Sequence, residues 1–143
     1  MRFATGTAAA LTAAMLIGGG MAQARPAQSS TIKIILRWSG SVLTPKKAPY
    51  LTLSPSFRVH GPFTMVLTVA PIDANKAAHV DGLSVEFLKG PPGFTSLISP
   101  IDVPPYTQPL KEAGYLSHAD CSGGCRFSML NPANARWTMI VAQ

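Results

Sequence analysis

Proline placement constrains this chain more than any other feature. All 13 prolines fall between Pro26 and Pro132; each lacks a backbone donor and breaks a helix interior. The segments between them are rich in Val, Ile, Leu, Phe and Thr, residues that suit a pleated, half-buried surface. Long helices are therefore not expected after residue 25. Short strands joined by Pro/Gly turns are.

The first residues read differently. Met1 and Arg2 form a short positive end, Ala8 to Ile17 an apolar stretch, and Ala22-Gln23-Ala24 the small-x-small pattern that a signal peptidase requires. The apolar run is interrupted by Thr12 and Gly18-Gly19-Gly20, short of the roughly 20 residues that span a membrane. We therefore expect residues 1–24 to be a removed leader, 25–30 a mobile tail and 31–143 one domain, with the product periplasmic or secreted and without a membrane span. A chain of this size buries roughly two thirds of its unfolded surface as one domain. The formal net charge is +6, of which Arg2 would leave with the leader. That balance favours acidic partners through a weak, salt-screened attraction. The basic residues are scattered in sequence and accompany no nucleic-acid motif, so no specific nucleic-acid binding is expected.

Alternation locates the strands. Thr31 to Trp38 reads as a first strand ended by Ser39-Gly40, with an extended stretch at Tyr50 to Leu53 and a turn at His60-Gly61-Pro62. Phe63, Met65, Leu67 and Val69 then share one face of the clearest strand, and that face should be core. Leu83, Val85 and Phe87 share another. Gly90-Pro91-Pro92-Gly93 is a turn, Phe94 to Ile98 a short strand, and Pro100 to Pro109 an extended surface connection. Arg126 to Leu130 and Arg136 to Val141 are expected to pair around Asn131-Pro132-Ala133-Asn134. About seven short strands point to an all-β, antiparallel β-sandwich, Ig-like or jelly-roll-like.

Leu36-Arg-Trp-Ser-Gly-Ser, Phe57-Arg-Val-His-Gly-Pro-Phe-Thr-Met-Val-Leu-Thr-Val and Gly123-Gly-Cys-Arg-Phe-Ser-Met-Leu-Asn-Pro-Ala-Asn-Ala-Arg-Trp-Thr-Met-Ile-Val together resemble small exported bacterial β-sandwich domains. Those have an early small-residue step, an F-x-V-x-G hairpin, and a Gly-led closing strand, turn and W-x-V-x-V end. The closing segment is similar to the pre-peptidase C-terminal domains attached to secreted hydrolases. The resemblance implies an accessory role and supplies no catalytic residues. Phe127-Ser128 stands where that pattern has an aromatic pair, and the prolines from Pro91 to Pro109 make the middle unusually stiff.

Cys121 and Cys125 are the only cysteines. In an oxidising compartment a disulfide is the expectation, with Gly123-Gly124 allowing the sharp turn of so small a ring. The alternative is copper: His118, Cys121, Cys125 and Met129 follow one another as H-x2-C-x3-C-x3-M, soft or borderline ligands of the kind copper selects. The Cys-Ser-Gly-Gly-Cys string resembles the start of the binuclear copper loop of oxidase subunits, which continues with a His where this chain has Met129. A mononuclear site would need His60 or His79 to complete it. Without that alternative no cofactor is expected.

No G-x-S-x-G, H-E-x-x-H or phosphate-cradling Gly-rich loop is present. Asp73, Asp81, Glu86, Asp102, Glu112 and Asp120 are isolated in sequence, and His60, His79 and His118 read as turn or exposed loop residues. Among the aromatics, Trp137 shares parity with Met139 and Val141 and should be core. Trp38 at a strand end and Tyr106 in a Pro/Tyr-rich loop form the candidate contact surface. The expected role is a non-catalytic binding or accessory module whose partner is an envelope polymer, peptide or protein. A periplasmic copper protein is the alternative, and a small secreted enzyme or enzyme inhibitor the second.

Overall fold

Strand periodicity runs through nearly every element of the structure, a computed structural model that describes residues 31–91, 93–116 and 121–143. The expected leader and tail, His118 and Asp120 lie outside the described residues. The strands are β1 (Ile34–Val42), β2 (Leu51–Leu53), β3 (Phe63–Pro71), β4 (Ala78–Val80), β5 (Gly82–Phe87), β6 (Phe94–Ile98), β7 (Ile101–Val103), β8 (Leu110–Leu116), β9 (Cys125–Leu130) and β10 (Ala135–Ala142). Sheet A has the order β1-β10-β3-β8, sheet B the order β2-β9-β5-β6, and β4 pairs with β7 in a small third sheet. All pairings are antiparallel. The protein is an all-β antiparallel sandwich.

The core follows from parity. Leu36, Trp38 and Val42 of β1, Trp137, Met139 and Val141 of β10, and Phe63, Met65, Leu67 and Val69 of β3 point inward from sheet A; Leu83, Val85, Phe127 and Met129 meet them from sheet B. Phe57, in the segment that crosses from sheet B to sheet A, ties the layers together: its ring stacks on Phe127 at 5.2 Å and meets Phe63 edge-on at 5.7 Å.

Several elements differ from the sequence reading. β1 does not end at Ser39-Gly40. Gly40 lies inside the strand on its inward parity, paired with Trp137, where a Cβ would fall 2.4 Å from Trp137 Cζ2. The glycine makes room for the indole and does not break the strand. The stretch Pro100 to Pro109 is not all surface connection, because Ile101 and Val103 are buried in β7 against Ala78 and Val80. β8 carries little alternation to reveal it. Glu112 stands on its inward parity opposite Leu67 yet stays exposed, as suits an edge strand that resists further pairing. The described residues therefore form ten strands where about seven were expected.

The most consequential difference lies at the end of the chain. β9 belongs to sheet B and β10 to sheet A, so Asn131-Pro132-Ala133-Asn134 is an arch between layers and not a hairpin. Asn131 and Asn134 have φ of 46° and 47°, a left-handed backbone that Asn tolerates better than most residues. Two such bends carry the chain across.

Leu67→Ala is expected to lower unfolding free energy by about 2 to 5 kcal/mol, and Thr68→Ala, on the opposite face, by less than about 1 kcal/mol. Urea unfolding of the two variants measures the contrast; equal, small losses would place β3 in the wrong register.

Candidate functional site

The sulfur-bearing residues come first because the copper alternative rests on them. Cys121 and Cys125 are bonded to each other, fully buried, with Cα atoms 5.2 Å apart. Gly124, at φ 106°, turns the ring, and its N–H donates to the Cys121 carbonyl at 3.0 Å. Cys125 exchanges two 2.8 Å backbone hydrogen bonds with Phe57, so the ring anchors the crossing segment to β9. Met129 is fully buried between the sheets. In this oxidised form neither sulfur is a thiolate and the thioether packs in the core. Among the described residues no group of three or more His, Cys, Asp or Glu is arranged to hold a metal ion. The native protein is expected to show no titratable thiol, and reduction should cost about 2 kcal/mol or less on the chain-entropy model. Thiol titration and denaturant unfolding with and without reductant measure both.

The two aromatic candidates part company. Tyr106 is 77% exposed, at φ 58°, with its N–H bonded to the Ala74 carbonyl at 3.1 Å and its hydroxyl bonded to Asn75. Trp38 is largely buried: only 7% exposed, it points inward from β1 and meets Trp137 edge-on, ring centroids 5.7 Å apart.

Trp38 nevertheless stands at an opening. Where the β1 edge of sheet A faces β2 of sheet B, a cleft of about 480 Å³ is lined by Trp38, Val42, Lys46, Tyr50, Thr52 and Trp137, among others. Lys46 Nζ lies 4.6 Å above the Tyr50 ring and donates to its hydroxyl at 3.3 Å. Two buried side-chain polar atoms lack a hydrogen-bond partner among the described residues, Trp137 Nε1 and Thr52 Oγ1. Both belong to residues of this wall. A buried polar group left unpaired costs about 1 to 3 kcal/mol, and these two lie behind the wall of the cleft, with almost no surface of their own. No carboxylate lines the cleft. Its polar lining is therefore an ammonium and hydroxyls, from Lys46, Ser39, Ser41, Thr44 and Tyr50.

A larger depression of about 590 Å³ lies on the solvent face of sheet B between Leu51, Leu53 and Phe94. The ion pair on its floor, Arg126 Nε to Glu86 Oε2 at 2.6 Å, satisfies itself. That depression offers apolar area and no polar group in need of a partner.

The acidic residues are less isolated than their sequence positions imply. His79 of β4 is held between Asp102 of β7, 2.6 Å from Nδ1, and Asp81, 2.6 Å from Nε2. A neutral imidazole donates from one nitrogen only, so two such contacts call for the imidazolium. Hydrogen bonds from Asp102, then Asp81, hold His79 protonated above its ordinary range. Asp81 is held below the usual carboxylate range by the Asn131 amide first and by His79 second. With both nitrogens occupied, the ring has none free to act as a base. Asn131 continues the chain of contacts: its Nδ2 donates to Asp81 at 2.6 Å, and its Oδ1 accepts the Tyr50 N–H at 2.7 Å. The network thereby fixes the backbone of a cleft residue.

No family model, curated protein or solved structure matches this chain.

The raised His79 value means that its contribution to stability is complete below the unfolded value of about 6.5 and disappears as pH rises through the folded value. The lowered Asp81 value means that its share is present above about 4 and disappears in acid. The gap in thermal midpoint between the wild type and His79→Gln should be widest between about pH 4 and 6.5 and close towards pH 9. A gap that widens with pH would reverse the assignment of the charged form.

Proposed function

We propose that this chain is an exported, non-catalytic binding module that takes a small ring compound bearing a carboxylate into the cleft between Trp38, Tyr50 and Trp137. The observation that carries the reading is a cleft lined by Trp38, Tyr50 and Trp137 beside the Lys46 ammonium, with no carboxylate among its described lining residues. Aromatic lining suits a ring, and the Lys46 ammonium suits a carboxylate. A cleft of about 480 Å³ falls in the size range of small-ligand pockets.

Export is supported by the leader pattern ending at Ala24 and by a disulfide, which persists in oxidising compartments. No helix of the described residues is long and apolar enough to cross a membrane. The resemblance to exported accessory domains points the same way, since such domains bind and do not catalyse.

Both tryptophans of the chain line the cleft, so intrinsic fluorescence reads its occupancy. Titration with glucuronate and with benzoate is expected to give a saturable change for at least one, weakened about tenfold by Lys46→Met through loss of a charge-assisted contact. Glucose and benzyl alcohol, which lack the carboxylate, should bind far more weakly. A flat response to both acids, or an equal response to the neutral analogues, would sink the reading.

A further inference from the structure

Alternation gives sheet A a second face, and its chemistry differs from that of the cleft. The strand register places Ser39 of β1, Thr138 of β10, Thr68 of β3 and Lys111 of β8 in one row across all four strands. One row on, Ser41 pairs with Arg136; one row back, Arg37 pairs with Ile140. All of these share the outward parity, because the residues between them, Trp38, Gly40, Trp137 and Met139, belong to the inward one. Three hydroxyls on adjacent strands thus lie between three cations, Arg37, Lys111 and Arg136. No strand residue directed to this face is acidic: Glu112, the one carboxylate in sheet A, has the inward parity. Among the described residues none of the three cations has an ion-pair partner. Towards the Ser41–Arg136 end of the face lies a depression of about 440 Å³ lined by Ser39, Ser41, Thr68, Arg136 and Thr138, among others, with Arg37 and Lys111 beyond its rim.

We infer that the outward face of sheet A is a docking surface for a linear polyanion carrying phosphate groups. The inference goes beyond the cleft and does not depend on it. Arg37 and Lys111 sit on opposite edge strands, three inter-strand steps (about 14 Å) and one row (about 7 Å) apart, and Arg136, on the strand next to Arg37, lies about 14 Å along the strands from Arg37 and about 7 Å from the Lys111 row. One small anion cannot meet three cations so spaced, whereas successive groups of a chain can. Guanidinium forks and hydroxyls both donate to phosphate oxygens, and no carboxylate competes with the ligand. The depression's apolar side chains are Ala70 and Pro109 with the edge of Trp137, and the one exposed aromatic side chain directed to this face is Tyr115 at the far end of β8, too little to insert into a bilayer. The occupant is accordingly a polymer and not a lipid surface. The opposite arrangement on sheet B, where Arg126 is matched by Glu86 at 2.6 Å, shows what an outward face looks like when its charge is already met.

Inorganic polyphosphate is the probe, with affinity measured by calorimetric titration on the full exported protein. Binding is expected at low salt and should weaken steeply between about 50 and 200 mM salt, as counterion release requires. The triple variant Arg37→Gln, Lys111→Gln, Arg136→Gln should lose at least about tenfold in affinity, while a charge-matched control, Lys47→Gln, Arg58→Gln, Lys89→Gln, should change it by less than about threefold. Thermal midpoints of both variants near that of the parent establish that the fold is kept. Equal losses in the two triple variants would reduce the effect to net charge and overturn the proposal. So would the absence of binding at low salt, or vesicles of phosphatidylglycerol and phosphatidylcholine binding as tightly as polyphosphate through the same three residues.

Discussion

The arch at Asn131 to Asn134 is the constraint on which the other parts of this structure depend. It passes the chain from sheet B to sheet A in four residues, and its polar groups hold four separate pieces of backbone. Asn134, itself buried, accepts the Asp73 N–H on Oδ1 and donates from Nδ2 to the carbonyls of Asp73, Lys76 and Ala77. Its backbone N–H reaches the Leu43 carbonyl at 3.0 Å. Asn131 exchanges hydrogen bonds with Tyr50 and reaches Asp81, and Ala133 pairs with His79. Each buried group left unpaired costs about 1 to 3 kcal/mol. Two left-handed asparagines thus do by side chain what a longer connection would do by backbone, and the entrance to the cleft inherits its geometry from them.

The cleft shows how a packing solution creates a binding opportunity. Trp137 is too large for its row of sheet A unless the facing residue is glycine, and Gly40 meets that need. With its ring laid across Gly40, the indole reaches towards the β1 edge and meets Trp38 there. β2, only three residues long, covers less of that edge than a full strand would. An aromatic wall therefore faces an opening. The unmet Nε1 follows from the same placement: the ring is fixed by shape, and no acceptor among the described residues stands opposite its nitrogen.

What was legible in the sequence was what alternation encodes. β3, β5 and β10 carry unbroken inward runs, and their faces emerge from residue order alone. The disulfide is legible from two cysteines four residues apart and the glycines between them. Pairing partners are another matter, since neighbouring strands in sequence need not share a sheet. The last two strands looked like a hairpin because a four-residue Asn-Pro-Ala-Asn link suits one; only the left-handed φ values and the side-chain hydrogen bonds, invisible in a linear string, make it an arch. β8 was missed because an edge strand need not alternate. The cleft was half legible: Trp38 drew attention as an aromatic at a strand end, but its role lies in a wall it forms with Trp137, 99 positions along the chain. The basic residues looked scattered for the same reason, as Arg37, Lys111 and Arg136 are gathered only by strand order.

That strand order also explains why one element serves two chemistries. Period 2 sends Trp38, Gly40 and Val42 inward and Arg37, Ser39 and Ser41 outward along the same nine residues of β1. The inward set must be apolar or small for the sandwich to close. The outward set is free of that demand and can carry charge and hydroxyls without disturbing the core. The two sites still meet at one place: Ser39, Ser41 and Trp137 border both the cleft and the outward depression, whereas Arg37 and Lys111 border neither. A slip of one residue in the β1–β10 register would exchange the two sets and destroy both faces together. Gly40 guards against that slip: only in the present register does the one residue without a Cβ face Trp137.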